Sequence, residues 1–258
     1  MLSKEKIKES FSRAATSYDE ASGFQKEIGR LLIERVLTDK IPRGVILDVG
    51  MGTGVLTQEL ALALNAQVYG CDLSWGMVLF SKSKTKGLFI TQADAEMLPY
   101  KKEIFNIIFS NLTYQWIRDL KSAFLEVKRV LKKEGKFYFS ILAKGSLNEL
   151  YKTIGSIKTD FNGGFLPTEE VIKSAFEKAD MNLIWWEEKT IKRYYASLLE
   201  LLMALKGIGA GRMLDENIFG MGQRRLFFQM IETYDKSFNE EGKTFVTYNV
   251  ILGCVKKL

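Results

Sequence analysis

The first stretch that could do chemistry is a glycine-rich turn at residues 47–54, LDVGMGTG, which stands between an apolar run and a helix-like one. Glycine has no side chain to hold a ligand away, so Gly50, Gly52 and Gly54 would let the backbone approach a bound molecule closely. The same glycines would also suit a tight strand-to-helix turn without a ligand. The turn by itself leaves both interpretations open.

The spacing of the glycines narrows the choice of ligand. Turns of this kind hold dinucleotides, nucleotide phosphates or S-adenosylmethionine. A dinucleotide fingerprint, G-x-G-x-x-G, would need a third glycine at Val55, and a phosphate-binding loop would need a lysine after Gly54. Neither is present. The turn, with Asp48 before it, therefore favours a ligand without a pyrophosphate, such as S-adenosylmethionine.

Two more aspartates follow later strand-like runs. Asp72 could accept hydrogen bonds from both hydroxyls of a ribose, because a carboxylate has acceptor sites on each oxygen. Asp94, at the start of DAEMLP, could accept one from an adenine amino group. Asp72 alone would also fit a nicotinamide enzyme, and either acid could be a solvated surface residue. Together with Asp48, however, the acids suit a cationic sulfonium ligand.

These residues need a scaffold that brings the ends of strands together. Strand-like and helix-like runs follow one another at Val45–Val49, Val55–Leu64, Gln67–Cys71, Gly76–Lys84, Leu88–Ile90, Phe105–Ser110, Leu120–Leu131 and Lys136–Ile141. Strands separated by helices predict an α/β fold with a parallel sheet and right-handed crossovers. In such sheets, ligands bind beyond the carboxyl ends of the strands, where the glycine turn and the aspartates stand.

Helical segments flank this core on both sides. Apolar residues at helical spacing cover residues 5–38, with a break at residues 14–19, and Thr168 is the expected N-cap of a later helix. The remaining elements are a strand, two helices and a last strand, at Met181–Glu188, Ala196–Lys206, Gln223–Phe238 and Phe245–Val255. We therefore predict one domain with an N-terminal helical cover at 1–40, a cofactor-binding core at 41–192, a helical cap at 193–242 and a final strand at 243–258.

The composition excludes several kinds of chemistry. The chain has no histidine, which excludes Ser-His-Asp and Cys-His catalysis in their usual forms. Its two cysteines, Cys71 and Cys254, lie in apolar runs without CxxC spacing, which predicts buried packing residues and no metal site. No apolar run approaches the ~20 residues of a membrane helix, and the charged start is unlike a signal peptide. We expect a cytoplasmic protein without a membrane contact.

Four motifs resemble, in order and spacing, the class I S-adenosylmethionine-dependent methyltransferases. They are LDVGMGTG, CDLSWGM, DAEMLP and RVLKKEGKFYFS, all within residues 40–145. The resemblance implies a Rossmann-like sheet of seven strands whose last strand is antiparallel, with S-adenosylmethionine as the cofactor. The cofactor-binding residues that it implies are Asp48, Gly50, Gly52, Gly54, Asp72, Leu73, Met77, Asp94, Ala95 and Asn111. Met51 departs from the small residue or cysteine that is common there in the family.

The flanking segments resemble one branch of that family, the malonyl-acyl-carrier-protein O-methyltransferases of the biotin pathway. The similar segments span nearly the whole chain and are FSRAATSYDEASGFQKEIGRLLIERV, SNLTYQWIRDL, FSILAKGSLNEL, FLPTEEV and LMALKGIGAGR. The resemblance implies methylation of the free carboxylate of a malonyl thioester of acyl carrier protein or coenzyme A. An acceptor that is already anionic needs no base, which is consistent with a chain without histidine.

Four residues are predicted to act on the acceptor. Tyr18, in the break between the first helices, could donate a hydrogen bond to the methionine end of the cofactor or to the acyl chain. Gln115 could orient the acceptor or the cofactor's amino group, and Phe165 could form an apolar wall beside the reacting carbon. Lys206, in LKGIGA, could recognise the acyl group or the phosphate of the carrier. Packing or solvation would explain Phe165 and Lys206 nearly as well.

Basic residues could serve partner binding, because the net charge is +6. Arg193 and Arg212 could support Lys206. An acidic carrier protein could meet a group near one helix end or a pair in the cap, namely Lys128, Arg129, Lys132 and Lys133, or Arg224 and Arg225. No basic stripe is interleaved with aromatic residues, so nucleic acid is not predicted as a partner.

Two other functions stay open at the level of sequence. The chain could methylate a quinone precursor or another small molecule, for which a deprotonating group near the acceptor would be expected. It could also be a regulatory or scaffold protein that binds the cofactor without turnover. The sequence leaves the oligomeric state open.

Overall fold

A computed structural model of the chain describes residues 3–39, 44–158, 166–213 and 224–258. Phe165, which was expected beside the reacting carbon, lies outside these residues. In the described part of the chain, one sheet has eight strands: β1 Ile46–Val49, β2 Val68–Asp72, β3 Phe89–Gln92, β4 Phe105–Asn111, β5 Leu131–Leu142, β6 Met181–Tyr195, β7 Asn239–Glu240 and β8 Lys243–Lys257.

The strands follow the order β3-β2-β1-β4-β5-β8-β6, with β7 paired to β8. β1 to β5 are parallel to one another, whereas β8 runs antiparallel to both β5 and β6. The predicted α/β sheet with an antiparallel last strand is confirmed. The short β7, which pairs with the beginning of β8, adds an eighth strand to the seven that were expected.

Helices lie on both faces of the sheet. Their bounds are α1 Lys4–Ala14, α2 Tyr18–Ala21, α3 Gly23–Thr38, α4 Val55–Leu64, α5 Trp75–Lys84, α6 Leu120–Val130, α7 Asn148–Ile157, α8 Glu169–Lys178, α9 Leu198–Gly207 and α10 Arg224–Ser237, with 3-10 turns at Tyr114–Trp116 and Ala210–Met213. The break predicted between the first helices is present. α7 was not predicted. No helix among the described residues is long and apolar enough to span a membrane.

Local sequence signals explain where several of these helices begin. Ser74 and Thr168 are N-caps whose hydroxyls accept from the backbone N–H groups of Met77 and Val171, at 3.2 and 3.4 Å. Such a cap satisfies one of the N–H groups that the first turn leaves without a partner. The prediction that Thr168 caps a helix is confirmed.

Apolar side chains from the helices fill both faces of the sheet. On one face, α3 buries Ile28, Leu32 and Val36 completely. On the other face, the rings of Phe124 in α6 and Phe176 in α8 stack with their centroids 3.9 Å apart. Burial of both faces is what holds a largely parallel sheet together, since its strands are apolar on both sides.

β6 continues to Tyr195, past the predicted end at Glu188. It pairs with β8 along this extension as far as Thr244. Arg193, which was expected at the start of the cap, is therefore a strand residue. Because β6 and β5 are both antiparallel to β8, they point the same way, and the chain leaves β6 towards the carboxyl edge of the sheet. α9 and α10 form the cap that follows.

Candidate active site

The glycine-rich turn begins where β1 ends at the carboxyl edge of the sheet. The backbone N–H of Gly50 donates to the carbonyl of Cys71 at 2.8 Å, which ties the turn to β2. Gly50 has a φ of +77°, and a Cβ there would lie 2.1 Å from the hydroxyl oxygen of Thr113. Glycine is the residue that combines this left-handed backbone with such close packing.

The carboxylate of Asp72 lies directly beside this turn. Its Oδ2 accepts from the N–H of Gly52 at 2.9 Å, and its Oδ1 accepts from the N–H of Ser74 at 2.8 Å. Each oxygen keeps a second acceptor site for a ligand hydroxyl. Burial raises the pKa of Asp72 to about 6 despite the two hydrogen bonds. The position and the free acceptor sites suit the two hydroxyls of a ribose.

Asp94 connects the chain after β3 to the first helix. Its Oδ1 accepts from the backbone N–H of Glu96 at 2.9 Å, and its Oδ2 accepts from the ammonium of Lys4 at 2.7 Å. Lys4 also pairs with the carboxylate of Glu96. α1 therefore begins beside the predicted adenine position. Sequence analysis missed Lys4 because no local signal connects it to an acid in a distant element.

Asp48 lies deeper than the other two aspartates and is 2% exposed. Its Oδ2 accepts from the hydroxyl of Thr57 at 2.6 Å. Burial raises the pKa of Asp48 to about 7, and the charge of Asp72 contributes in the same direction. Near neutral pH, a cationic ligand would therefore favour the ionised form of Asp48.

Two adjoining cavities lie at this edge of the sheet. The main cleft contains about 780 Å³ of empty space, which includes the open solvent at its mouth. It is lined by Lys4, Ile7, Phe11, Tyr18, Val49, Gly50, Gly52, Asp72, Leu73, Met77, Ala93, Asp94, Ala95, Glu96, Asn111, Leu112, Thr113, Trp116 and Ile117. The inner pocket is lined by Tyr18, Ser22, Gln25, Lys26, Asp48, Gly50, Met51, Gly52, Thr53, Val55, Leu56, Phe109 and Asn111.

The structure brings the predicted cofactor residues together along these cavities, with the exception of Gly54. Gly54 is the N-cap of α4, and a Cβ there would lie 2.2 Å from the hydroxyl oxygen of Ser81. Its position therefore serves the packing of α4 against α5. Asn111 lines both cavities and also contacts α3 and β5. Its Nδ2 donates to the carbonyl of Gln25 in α3, and its Oδ1 accepts from the hydroxyl of Ser140 in β5.

Tyr18 lines both cavities and is positioned by its neighbour Asp19. The carboxylate of Asp19 accepts from the hydroxyl of Thr53 at 2.6 Å and from the ammonium of Lys84 at 3.0 Å. Burial, together with the charges of Asp72 and Asp19, raises the pKa of Tyr18 well above its usual value. The phenol therefore stays protonated, so it can donate a hydrogen bond in the cleft and cannot serve as a base near neutral pH.

Two other residues predicted at the acceptor lie away from the cavities. Gln115 is buried, its Nε2 donates to the carbonyl of Leu112 at 2.6 Å, and its Oε1 accepts from the N–H of Leu142 at 3.5 Å. Both ends of its amide are therefore engaged with the backbone. Lys206 is exposed at the end of α9 and lines neither cavity.

The arginines expected behind Lys206 are placed differently. Arg193 pairs with Glu27, and its guanidinium lies 5.4 Å from the ring centroid of Phe24. The side chain of Arg212 lies outside the described part of the structure. Arg193 therefore stabilises the contact between β6 and α3 and lines neither cavity.

α1 forms one wall of the main cleft and, besides the pairing of Lys4 with Asp94, is attached at two further places. The hydroxyl of Ser12 lies 2.9 Å from that of Ser74 and accepts from the N–H of Gly76 at 3.3 Å. The hydroxyl of Ser10 donates to the carbonyl of Gly209 at 2.7 Å. The first attachment joins α1 to α5 and the second joins it to the cap, so both elements position the wall. Sequence analysis did not predict either contact.

The comparisons with known proteins agree with this geometry. Residues 47–139 match the family described as a methyltransferase domain. The malonyl-[acyl-carrier protein] O-methyltransferase of Methylovorus sp. is 30% identical over 98% of this chain and 88% of that protein. The enzyme of the same name from Hahella chejuensis is 33% identical over 96% of this chain and 89% of that protein. The chain belongs to this methyltransferase family.

A solved structure supports the fold. The phosphoethanolamine N-methyltransferase 2 of Haemonchus contortus, in complex with S-adenosylmethionine, superimposes with a TM-score of 0.59 at 18% identity, over 95% of this chain and 57% of that one. At this identity the likeness concerns the fold alone. With the family membership and the cleft described above, the chain is an S-adenosylmethionine-dependent methyltransferase.

The residues of the methyltransferase fit this cofactor. Asp72 offers free acceptor sites for the ribose, and the buried Oε1 of Gln25 in the inner pocket has no hydrogen-bond partner among the described residues. That oxygen and the carboxylate of Asp48 could accept from the ammonium of the methionine moiety. Leu73 and Met77, which line the main cleft, would supply an apolar surface for the adenine. When bound, S-adenosylmethionine supplies a methyl group that an anionic oxygen can take without a proton transfer.

Proposed function

We propose that this methyltransferase methylates the free carboxylate of a malonyl group carried as a thioester on acyl carrier protein, an early step of biotin synthesis. The observation that carries the proposal is the extent of the similarity. The relatives that bear this activity in their names align with 96–98% of the chain, including the N-terminal helices and the cap. The N-terminal helices supply Phe11 and Tyr18 to the main cleft, and the cap contacts α1 through the carbonyl of Gly209.

The protonation state of the cleft also supports an anionic acceptor. Tyr18 is a neutral hydroxyl that can donate a hydrogen bond to a carboxylate. Among the described residues that line the main cleft, Lys4 is the one cation, and its ammonium is already bound by Asp94 and Glu96. A neutral donor can orient the acceptor carboxylate without removing as much of its nucleophilicity as a strong ion pair would.

We place the acceptor against an apolar wall of the main cleft. The rings of Phe11 and Trp116 meet edge to face, with centroids 5.2 Å apart, and Ile117 follows on the same wall. These side chains would exclude water from the reacting atoms and hold the acyl group in line with the methyl carbon. Alignment and exclusion of water are the main tasks of the protein in such a reaction, because no proton has to move.

The proposal is tested by a panel of acceptors. The purified protein is incubated with S-adenosylmethionine and, separately, malonyl carrier protein, malonyl coenzyme A, acetyl carrier protein and a quinone precursor. We expect a gain in mass of one methyl group on the malonyl thioesters. The acetyl thioester is the matched control, because it lacks the free carboxylate. Methylation of the quinone precursor with both malonyl thioesters unchanged would contradict the proposal.

A further inference from the structure

The cap exposes an apolar and basic surface at one end, which we call the cap face. It consists of Met203 and Lys206 on α9 and of Arg224, Arg225, Leu226 and Phe228 on α10, all of them exposed. Met203 is 59% exposed and Phe228 is 55% exposed. Large apolar side chains that lie this far out of the core, with cations beside them, are typical of surfaces that bind another protein.

α9 and α10 meet at the ends that are opposite Lys206 and Arg224. The backbone N–H of Leu198, where α9 begins, donates to the carboxylate of Asp235, near the end of α10, at 2.7 Å. α9 and α10 also pack against each other. From this contact, α9 leads away towards Lys206, and the other end of α10 carries Arg224.

Positive charge is concentrated on the cap face. Glu200 and Asp235 lie away from it, where both accept hydrogen bonds from backbone N–H groups, and Lys236 lies beside Asp235 in the last turn of α10. The cap face carries Lys206 and two arginines, and the guanidinium of Arg224 is 5.6 Å from the ring centroid of Phe228. The cap face therefore combines positive charge with apolar area, which is complementary to a helix that carries acidic and apolar side chains.

The cap face lies next to the wall of the main cleft. The hydroxyl of Ser17 donates to the carbonyl of Gly207 at 3.0 Å, and Tyr18, which lines both cavities, follows Ser17 directly. Gly207 in turn follows Lys206 in the chain. A protein that docks on the cap face would therefore stand close to the opening through which a tethered acyl group has to enter.

The other basic group of the chain is less available to a partner. Lys128 pairs with Asp180 at 2.6 Å, and the ammonium of Lys132 donates to the side chain of Asn106 at 3.1 Å. Arg129 is bound to Glu126 and to two backbone carbonyls. This group also lies at the amino edge of the sheet, where α6 ends and β5 begins, opposite the cleft.

We propose that the cap face is the docking surface for an acidic carrier protein that delivers the acyl group to the cleft. This inference rests on the proposed function and names the part of the surface that recognises the carrier. It assigns Lys206 to partner binding at the surface, whereas sequence analysis expected Lys206 at the acyl group or at the phosphate of the carrier.

The test compares a large and a small malonyl thioester as substrates. Two variants alter the cap face, Met203→Glu and the double variant Arg224→Glu with Arg225→Glu. We expect each to raise KM for malonyl carrier protein about tenfold, because it places negative charge where the acidic carrier docks. The kcat/KM for malonyl coenzyme A should stay unchanged, since that substrate makes no contact with the cap face.

The matched control reverses another pair of adjacent, exposed cations, Lys101→Glu with Lys102→Glu. These residues precede β4 at the amino edge of the sheet, so the control changes the net charge equally without touching the cap face. It should leave KM for malonyl carrier protein unchanged. Thermal unfolding and S-adenosylmethionine affinity are measured for all variants, and if Met203→Glu does not fold, the double arginine variant carries the test.

The possible outcomes separate the two proposals. An unchanged KM for malonyl carrier protein in the cap variants, or an equal rise in the control, overturns the docking surface and leaves the proposed function standing. An equal loss with both thioesters also overturns the docking surface, because it shows damage to the cleft. If the unaltered enzyme methylates neither thioester, the proposed function fails and the docking surface fails with it.

Discussion

Burial decides the protonation state of the residues in the cleft, and the sequence alone gives no value for burial. Tyr18 is buried beside Asp72 and Asp19, which keeps its phenol neutral. Asp48 and Asp72 are acids whose pKa values burial moves towards neutrality. One site thus contains a hydrogen-bond donor and two acids. A cationic ligand would favour the ionised forms of these acids.

The hydroxyl of Tyr18 can be removed without removing its ring. We expect Tyr18→Phe to lower kcat for the malonyl acceptor roughly 10-fold to 100-fold, because a hydrogen bond to a charged group contributes about 1.5–3 kcal/mol. S-adenosylmethionine affinity should change little if the hydroxyl faces the acceptor. Steady-state kinetics and calorimetry check this.

Tyr194→Phe is the matched control, because Tyr194 is an exposed tyrosine whose hydroxyl donates to the carboxylate of Glu240 in β7. It should leave kcat unchanged. A Tyr18→Phe enzyme with full kcat would remove the hydroxyl from the reaction.

Cofactor affinity should depend on pH through Asp48 and Asp72. Their pKa values of about 7 and about 6 in the folded protein exceed the usual ~3.9 of aspartate. The folded protein without ligand therefore holds more protons than the unfolded chain between about pH 4 and 7, and the stability that these groups contribute falls as the pH rises. A cationic ligand favours the ionised acids, so its affinity should rise over the same window and level off near pH 8.

Calorimetric titration with S-adenosylmethionine from about pH 5 to 8 measures this rise. Asp48→Asn keeps an acceptor for the hydroxyl of Thr57 but cannot ionise, so the part of the rise near pH 7 should disappear. Asp180→Asn, at an exposed surface position, is the control. An identical pH profile in Asp48→Asn and the unaltered protein would show that Asp48 does not titrate on binding.

Among the elements, α1 and the turn after α9 act on the cleft together. The LKGIGA segment ends α9 and continues as a turn in which Gly209 has a φ of +78°. A Cβ at Gly209 would lie 3.1 Å from the Cα of Phe11, which lines the main cleft. The glycines of this segment therefore allow the cap to pack closely against α1.

Gly209→Ala should loosen this contact. The left-handed backbone costs an alanine about 1–2 kcal/mol, and the crowding against α1 adds roughly 1 kcal/mol or more. Hydrogen exchange of the α1 amides should accelerate, and cofactor affinity should fall because α1 forms a wall of the site. Hydrogen exchange and calorimetry measure the two effects.

Gly242→Ala separates backbone strain from the contact. Gly242 has a φ of +79° and nothing within 4 Å of its Cβ position. The Gly242→Ala protein should lose only the stability that the left-handed backbone costs an alanine, about 1–2 kcal/mol. The hydrogen-exchange rates of the α1 amides should stay unchanged. Equal effects of the two substitutions on α1 would contradict a role of Gly209 in positioning this helix.

At the scale of the whole molecule, the cofactor should stabilise the fold. The site draws residues from α1, α2, β1, β2, the chain after β3 and the chain after β4, so it exists only in the folded protein. Binding to the folded state alone adds about 2.7 kcal/mol when the ligand concentration is a hundred times Kd. We expect S-adenosylmethionine to raise the Tm by several degrees in a thermal unfolding scan.

Asp72→Ala serves as the control for this stabilisation. Loss of hydrogen bonds from the ribose should weaken cofactor binding by ~1–3 kcal/mol, so the gain in Tm at the same ligand concentration should shrink. A gain that is as large as in the unaltered protein would place the ribose away from Asp72.

The sequence by itself determined the elements and the part of the site that local signals encode. Apolar periodicity predicted the alternation of strands and helices around the sheet, because burial on one or two faces imposes a period on each element. Cap residues such as Thr168 mark a helix start through hydrogen bonds to the next turn. The glycine turn, Asp72 and Asp94 were predicted because they follow strands, and in a parallel sheet the strand ends meet at one edge.

Only the tertiary structure decided which distant residues complete the site. Lys4 reaches Asp94, and the turn at Gly209 contacts α1, across long stretches of chain that no sequence period connects. Gln115 has a suitable position in the sequence, yet the fold directs both ends of its amide to the backbone. The reason is that a sequence pattern reports which face of an element is apolar, whereas packing decides which polar atoms meet and how deeply they are buried.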